Sequence, residues 1–355
     1  MAIRPSALAA PRRMATPSPA VRAWLVPSGS IVAGLLAFGV FVLLIGRDPV
    51  EVYRTIYEGG FASGFAWNNT LLRAAPLILT GLAVAIPAQA GLVVIGSEGA
   101  LALGALAAAA AAVPLVPSMG AAALAVGAIA GMAAGGAWFA LTGVFRAYRG
   151  LNETISSLLL SYIAIAVFNH LVEGPLRDPA SLNKPSTPGL ADATMIGQIP
   201  WLDVHWGLAV GVLACALAQL ALSRSTQGFA LRVAGGNPRA AMLVGLPVGA
   251  LIVGACALGG AAAGLAGAIE VMAVHGAANA SVLAGYGTTG ILVAFMARQQ
   301  PLAIVPVAIL MGGIAAAGSL LQRRLDLPDA TTMVLQGLLF VSILAGEALM
   351  PKGRR

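Results

Sequence analysis

The stretch Gly91-Leu-Val-Val-Ile-Gly-Ser-Glu-Gly99 places a carboxylate and three glycines inside one of the most apolar parts of this chain. A charged side chain near the centre of a bilayer costs about 2.5–3.5 kcal/mol on insertion scales. Backbone that is not helical survives at that depth only where it is buried in protein or lines a wet cavity. Glu98 therefore predicts either a pathway through a membrane protein or a broken helix that shapes one.

The composition of the whole chain also indicates a membrane protein. Its 355 residues are 59% hydrophobic and only 9% charged, whereas soluble domains carry about 25% charged residues. The net charge of +7 comes from basic residues between apolar runs. We therefore attribute it to the orientation of the protein in the membrane and not to nucleic-acid binding. The two cysteines and three histidines show no metal-ligand spacing. We expect no catalytic residue, no metal site and no cofactor on this chain.

Apolar runs long enough to cross a bilayer as helices predict an all-α polytopic membrane protein with about ten transmembrane helices. Residues 1–23 are expected to form a disordered cytoplasmic tail, and residues 24–350 a single transmembrane domain. Ten crossings put both termini on one side, where most of the 20 Lys and Arg residues fall, and the positive-inside rule makes that side cytoplasmic. The candidate spans are 24–46, 71–95, 99–117, 121–146, 152–173, 204–223, 247–273, 286–297, 301–321 and 331–349.

Two connections between spans stand out. The external segment 174–203 holds five prolines and predicts a fixed, non-helical cap. In the internal loop 224–246, Asn237 followed by Pro238 is a helix N-cap with proline at the first helical position, and Gly245 can end the short helix. This loop is either an ordinary connection or an element that docks a soluble partner. The chain has no Walker A motif, so any ATP chemistry must come from another subunit.

Five stretches of the chain resemble the permeases of ribose- and nucleoside-type ABC importers, four of them those of the family in general. The internal loop reads Thr226-x-Gly228-x-x-x-Arg232-x-x-Gly235-x-Asn237-Pro238-x-Ala240-Ala241-x-x-x-Gly245-Leu246, which resembles the coupling-helix signature of that family. The other three are Ile95-Gly-Ser-Glu-Gly99, Asn152-Glu-Thr-Ile-Ser-Ser-Leu-Leu-Leu-Ser-Tyr-Ile-Ala164, and Gly285-Tyr-Gly-x-x-Gly290 followed by Pro301-Leu302. Gly174-Pro-Leu-Arg-Asp-Pro179 is similar to a motif of the longer permease in the nucleoside branch.

The resemblance implies a type II ABC importer-like bundle with an internal inverted repeat in a bacterial inner membrane. It implies three protein partners: a second permease subunit, a cytoplasmic ATPase with two nucleotide-binding halves that carries ATP and Mg²⁺, and a periplasmic or lipid-anchored solute-binding protein. It also implies a set of residues that couple the permease to the ATPase. These are Gly228, Arg232, Gly235, Gly236, Asn237, Pro238, Ala240, Ala241 and Gly245.

Polar residues within the apolar spans are candidates for the solute pathway, and each has a structural alternative. Glu98 lines the pathway, caps the helix that starts at Gly99, or does both, since the two roles are compatible. Glu270 follows the small-residue stretch 259–264, which allows close helix contact, and it faces either another helix or the pathway. The remaining candidates cap helices, lie at an interface or pack structurally in the alternative reading. They are Gln89, Asn152, Glu153, Asn169 and Tyr286.

The expected function is the membrane-spanning permease subunit of an ATP-driven importer. It would move a nucleoside or related sugar-bearing solute into the cytoplasm by alternating access, without being an enzyme. The alternatives are an ABC permease for another sugar or an amino acid, and an ion-coupled secondary transporter. An intramembrane enzyme is disfavoured because the chain has neither a Gly-x-Gly-Asp nor a His-Glu-x-x-His pattern.

Overall fold

The computed structural model describes residues 19–191 and 195–348, which form α-helices joined by turns and irregular segments. The predicted all-α fold is confirmed. The helices are α1 (Pro19–Leu44), α2 (Pro49–Gly60), α3 (Gly64–Ala88), α4 (Ser97–Ala112), α5 (Val116–Met119), α6 (Ala122–Arg149), α7 (Glu153–Glu173), α8 (Gly207–Arg224), α9 (Thr226–Gly236), α10 (Pro238–Leu243), α11 (Val248–Ile269), α12 (Tyr286–Met296), α13 (Pro301–Leu325) and α14 (Ala330–Ala348). A π-helical segment, Glu270–His275, continues α11.

Seven helical stretches of the described residues are long and apolar enough to cross a membrane, and there are eight if α1 and α2 form one bent span. The seven are α3, α4 with α5, α6, α7, α8, α11 with its π-helical extension, and α13. Helices α12 and α14 are apolar but shorter. Each predicted span corresponds to a helix, but the predicted count of about ten is not confirmed.

The N-terminal region differs from the prediction in two ways. Helix α1 begins at Pro19, inside the predicted tail 1–23, and residues 1–18 lie outside the described part of the chain. Helix α2 is absent from the prediction and is bent by 117° from α1. The side chain of Asp48 accepts a hydrogen bond from the Val50 N–H, with proline at the first helical position. This local start signal is present in the sequence, but α2 is too polar to be recognised as a span.

Helix α11 packs closely against α4 and α6 through glycines, as the small-residue stretch predicts. A Cβ added to Gly264 would lie 3.0 Å from the Gly131 carbonyl carbon and 3.1 Å from the Gly135 Cα. Gly104 and Gly260 make equally close backbone contacts in the same contact region. We call these five residues the glycine seam. Because no side chain separates these backbones, the seam fixes how near the three helices approach.

Two parts of the chain repeat the same order of elements. Helix α3 is followed by the irregular segment 89–96 and then α4, and α11 with its extension is followed by residues 276–285 and then α12. The N-termini of α4 and α12 meet, because a Cβ on Gly287 would lie 2.5 Å from the Glu98 Cα. The repeated order of elements and the contact between the two helix starts are features that an internal repeat predicts.

The predicted span 71–95 is broken after Ala88, although Pro76 and Pro87 both lie inside α3. The break follows Pro87 by one residue, and the helix continues through Pro76. Elsewhere, segments 174–206 and 225–247 lie at opposite ends of α8, whose 18 residues give a length of about 27 Å. The described residues of 174–206 contain no helix, as predicted for this proline-rich segment.

Candidate functional site

The carboxylate of Glu98 joins the N-termini of α4 and α12. Its Oε1 accepts a hydrogen bond from the Gly285 N–H at 3.0 Å and its Oε2 one from the Gly287 N–H at 2.5 Å. The neighbouring Ser97 hydroxyl donates to the Gly287 carbonyl oxygen at 3.0 Å. Capping by Glu98 is therefore correct, but the prediction that it caps its own helix is wrong. The helix that it caps begins almost 190 residues later.

This contact has a simple electrostatic reason. Each helix N-terminus carries a partial positive charge and unpaired N–H groups, and two of them meet here. Glu98, with only 7% of its surface exposed, supplies a negative charge and two acceptor oxygens between them. The arrangement holds both short helices in place within the apolar interior.

Hydroxyl groups on α7 form hydrogen bonds with the irregular backbone that precedes α4 and with the first turn of α4. The Thr154 hydroxyl donates to the Val93 carbonyl oxygen at 2.7 Å. The Ser157 hydroxyl accepts from the Ile95 N–H at 3.0 Å, and the Ser161 hydroxyl accepts from the Gly99 N–H at 2.9 Å. Sequence reasoning missed these residues. Their spacing of three and four places them on one face of an apolar helix, and this signal could have found them.

We expect Ser157→Ala to lower the stability of the protein by about 1–3 kcal/mol, because the half-buried Ile95 N–H loses the acceptor that the fully buried Ser157 provides. Thermal unfolding in detergent measures this effect. Ser156→Ala is the matched control, since the Ser156 hydroxyl bonds only to the Glu153 carbonyl oxygen of its own helix, at 3.3 Å. Equal unfolding temperatures for the two variants would contradict the assigned role of Ser157.

A second polar group lies where α11 becomes π-helical. Glu270 is 1% exposed, and its Oε2 lies 3.5 Å from the His275 Nε2. Arg73 of α3 and Tyr286 of α12 are close enough to interact electrostatically with Glu270, and Tyr286 also interacts with Glu98. Short π-helical segments occur often at functional sites. Glu98, Glu270 and Tyr286 thus belong to one polar region between α3, α4, α11 and α12.

The other predicted pathway residues lie outside this region, and three of them have structural contacts. Gln89 donates from Nε2 to the Gln299 carbonyl oxygen at 3.0 Å, after the end of α12. Asn152 caps α7 by accepting from the Ile155 N–H at 3.1 Å. The Glu153 Oε2 lies 3.4 Å from the Arg146 Nε, and Asn169 is half-buried near the end of α7.

The predicted short helix of the loop 224–246 is confirmed as α10. The Asn237 side chain accepts from the Ala240 N–H at 3.1 Å, Pro238 is the first helical residue, and Gly245 follows the helix with a φ of +84°. Helix α9, which begins directly after its Ser225 N-cap, was not predicted. The segment is therefore two short helices in sequence and not a loop around one.

The residues of the coupling signature divide into internal and exposed ones. Gly228 allows α9 to approach the Leu222 backbone, and the Arg232 guanidinium donates to the Leu222 carbonyl oxygen. Gly235 contacts residues 89–91, and Ala241 is buried. The exposed residues of the signature are Arg232, Gly236, Asn237, Pro238, Ala240 and Gly245.

Three consecutive hydrophobic side chains at the end of α10 are exposed. Met242, Leu243 and Val244 have exposed fractions of 57%, 89% and 73%. We call them the α10 patch. The helix that carries them has six residues, which is far too short to cross a membrane. A contiguous apolar patch in such a place is typical of a contact surface.

Comparison with known proteins agrees with this architecture. Residues 67–344 match the family described as the branched-chain amino acid transport system permease component. The chain is a permease of this family. The predicted membership of a permease family is thereby confirmed, and the apolar helices belong to a multi-pass membrane protein.

Several known permeases align with this permease over nearly its whole length. A glucose ABC transporter permease of Haloferax volcanii is 31% identical over 93% of this chain and 90% of its own length. A guanosine ABC transporter permease of Bacillus subtilis is 28% identical over 92% and 94%. A nucleoside ABC transporter permease of Lactococcus lactis subsp. cremoris is 24% identical over 93% and 94%.

The segment 174–206 of the permease is anchored close to the polar region. The Thr187 hydroxyl accepts from the Ala278 N–H at 3.0 Å, and the buried His205 accepts at Nδ1 from the Gly207 N–H at 3.1 Å. Burial lowers the pKa of His205, so its ring is neutral at pH 7.

Among the described residues, no group of three or more His, Cys, Asp and Glu side chains could hold a metal ion.

Proposed function

We propose that this permease is the membrane subunit of an ATP-driven importer for a nucleoside or a related sugar-bearing solute. The α10 patch carries this proposal, because it offers a separate protein an apolar surface on a short, rigidly capped helix. The docked protein is an ATPase with two nucleotide-binding halves, which binds ATP and Mg²⁺. The chain itself has no Walker A motif.

The proposed transport cycle is alternating access. ATP binding and hydrolysis in the partner displace α9 and α10. The helices that connect α9 and α10 to the region of Glu98 then change their tilt. A cavity that includes the region of Glu98, Glu270 and Tyr286 then opens to one side of the membrane at a time. The excess of basic residues on the side of α10 and the termini supports a cytoplasmic location for both in a bacterial inner membrane.

Two other partners complete the proposed complex. A second permease subunit is supported by the two different guanosine permeases of Bacillus subtilis that resemble this chain. A periplasmic or lipid-anchored binding protein would deliver the solute to the segment 174–206 at the opposite end of α8.

The proposed solute is uncharged. Helix N-termini in transporters with broken helices often bind the anionic groups of substrates. In this permease the N-termini of α4 and α12 are already contacted by Glu98. The site therefore favours a nucleoside over a nucleotide. The glucose permease among the relatives supports a simple sugar as the second candidate, and competition of guanosine and glucose for uptake separates the two.

Leu243→Asp is expected to weaken ATPase binding by at least about 2 kcal/mol, or roughly 30-fold, if the α10 patch is a binding hot spot. Co-purification of the ATPase with the permease measures this loss. Leu182→Asp is the matched control, because Leu182 is 81% exposed but lies in the segment 174–206. Unchanged co-purification of the Leu243 variant would contradict docking at the α10 patch.

A further inference from the structure

The C-terminal ends of α9, α3 and α12 meet at one place. A Cβ on Gly235, near the end of α9, would lie 2.8 Å from the Ala90 carbonyl carbon and 2.9 Å from the Gly91 N, just after α3. Conversely, a Cβ on Gly91, which has a φ of +75°, would lie 2.9 Å from the Gly235 carbonyl oxygen. The backbones touch with no side chain between them, so α9 cannot move toward residues 89–91 without displacing them.

The third helix end is that of α12, and a single side chain ties it to the other two. Gln89 donates from Nε2 to the Gln299 carbonyl oxygen at 3.0 Å. The turn that contains this carbonyl is left-handed at Arg298 and Gln299, which have φ values of +51° and +59°, a conformation that non-glycine residues rarely adopt. We call the contacts of Gly235, Gln89 and Gln299 the three-helix junction.

The junction is linked to the Glu98 site by the chain itself. Residues 89–98 contact α12 at both ends: Gln89 bonds just beyond its C-terminus, and Glu98 accepts from the N–H groups at its N-terminus. A displacement of residues 89–91 therefore has one of two consequences. Either α12 and α4 move with these residues, or one of these hydrogen bonds breaks.

We propose that Gln89 is a positioning residue which transmits the movement of α9 and α10 to the short helices α4 and α12. This inference rests on the proposed function, because it takes the ATPase to be the source of the movement. It gives a physical link between α9 and α10 on one side and the contacts of Glu98 on the other. Spatial proximity alone would not establish such a link. Gln89 acts through α12 and does not need to touch the solute.

The test uses the complete transporter in proteoliposomes, with solute uptake per ATP hydrolysed as the readout. Gln89→Glu keeps the size of the side chain but cannot donate a hydrogen bond, whereas Gln89→Lys keeps a donor. We expect the Glu variant to lose about five-fold in uptake per ATP, the effect of one ordinary hydrogen bond, and the Lys variant to recover most of it. The ATPase should co-purify equally with both.

A second measurement tests whether a permanent link between residues 89 and 299 supports transport. In a Gln89→Cys, Gln299→Cys variant, a short bifunctional thiol reagent replaces the hydrogen bond by a covalent bridge, while the native Cys215 and Cys256 are buried. We expect cross-linking to restore uptake per ATP. Loss of uptake on cross-linking, or wild-type coupling in the Glu variant, would overturn the role of Gln89. Failure of the wild-type permease to bind any ATPase would instead contradict the proposed function.

Discussion

Glu98→Ala is expected to abolish solute uptake and to lower the stability of the permease by about 3 kcal/mol or more. The change removes two buried hydrogen bonds to a charged group, each worth about 1.5–3 kcal/mol. It also leaves the positive ends of α4 and α12 facing each other without a negative charge between them. Of the side-chain hydrogen bonds described between the two helix starts, only the one from Ser97 to the Gly287 carbonyl oxygen then remains, so both stability and transport should fail together.

Two variants control this prediction. Glu98→Gln retains one acceptor oxygen and should keep part of the stability while losing the charge. Glu51→Ala removes an exposed carboxylate from the first turn of α2 and should change neither property. Thermal unfolding in detergent and uptake into proteoliposomes measure the two effects. A Glu98→Ala protein as stable and active as the wild type would show that the helix ends do not depend on Glu98.

Gly264→Leu is expected to prevent correct assembly of the helices. Even the single methyl group of Gly264→Ala meets the backbone of Gly131 and Gly135 in the glycine seam. Backbone atoms cannot rotate away as a flexible side chain would. We therefore expect Gly264→Ala to cost about 3 kcal/mol, at the upper end of the range for overpacking. The leucine variant should yield little folded protein by size-exclusion chromatography.

Gly254 offers a matched control on the same helix. A Cβ at this position meets nothing within 4 Å, and alanine favours a helix over glycine by about 1 kcal/mol. Gly254→Ala should therefore leave the unfolding temperature unchanged or raise it slightly. The two glycine variants thus have opposite expected signs, and a similar loss of stability in both would contradict close packing at the seam as the cause.

Local signals in the sequence predict local structure well in this protein. Asn237 and Pro238 predict the start of α10 because the cap and the fixed φ of proline act within one turn. The short α12 is predicted from the length of its apolar run. Helices α2 and α9 were not predicted, because their sequences are less apolar than a membrane span and hydropathy does not mark them.

The candidate site is only partly predictable, because its central contacts join distant parts of the chain. Glu98 is conspicuous as an acid in an apolar run, but nothing near it in the sequence indicates that Gly285 and Gly287 are its partners. The same applies to Gln89, whose carbonyl partner at Gln299 is 210 residues away. The hydroxyls of α7 have a recognisable spacing, yet their acceptors and donors depend on where residues 93–99 pack.

The most direct test of the proposed function is ATP-dependent uptake by the reconstituted complex. Labelled guanosine is loaded outside proteoliposomes that contain the permease subunits and either an intact ATPase or one with its Walker lysine replaced. An ATP-driven importer gives ATP-dependent accumulation with the intact ATPase and none with the altered one, and this is the result we predict. Accumulation that persists with the altered ATPase, or that follows an imposed ion gradient without ATP, would contradict it.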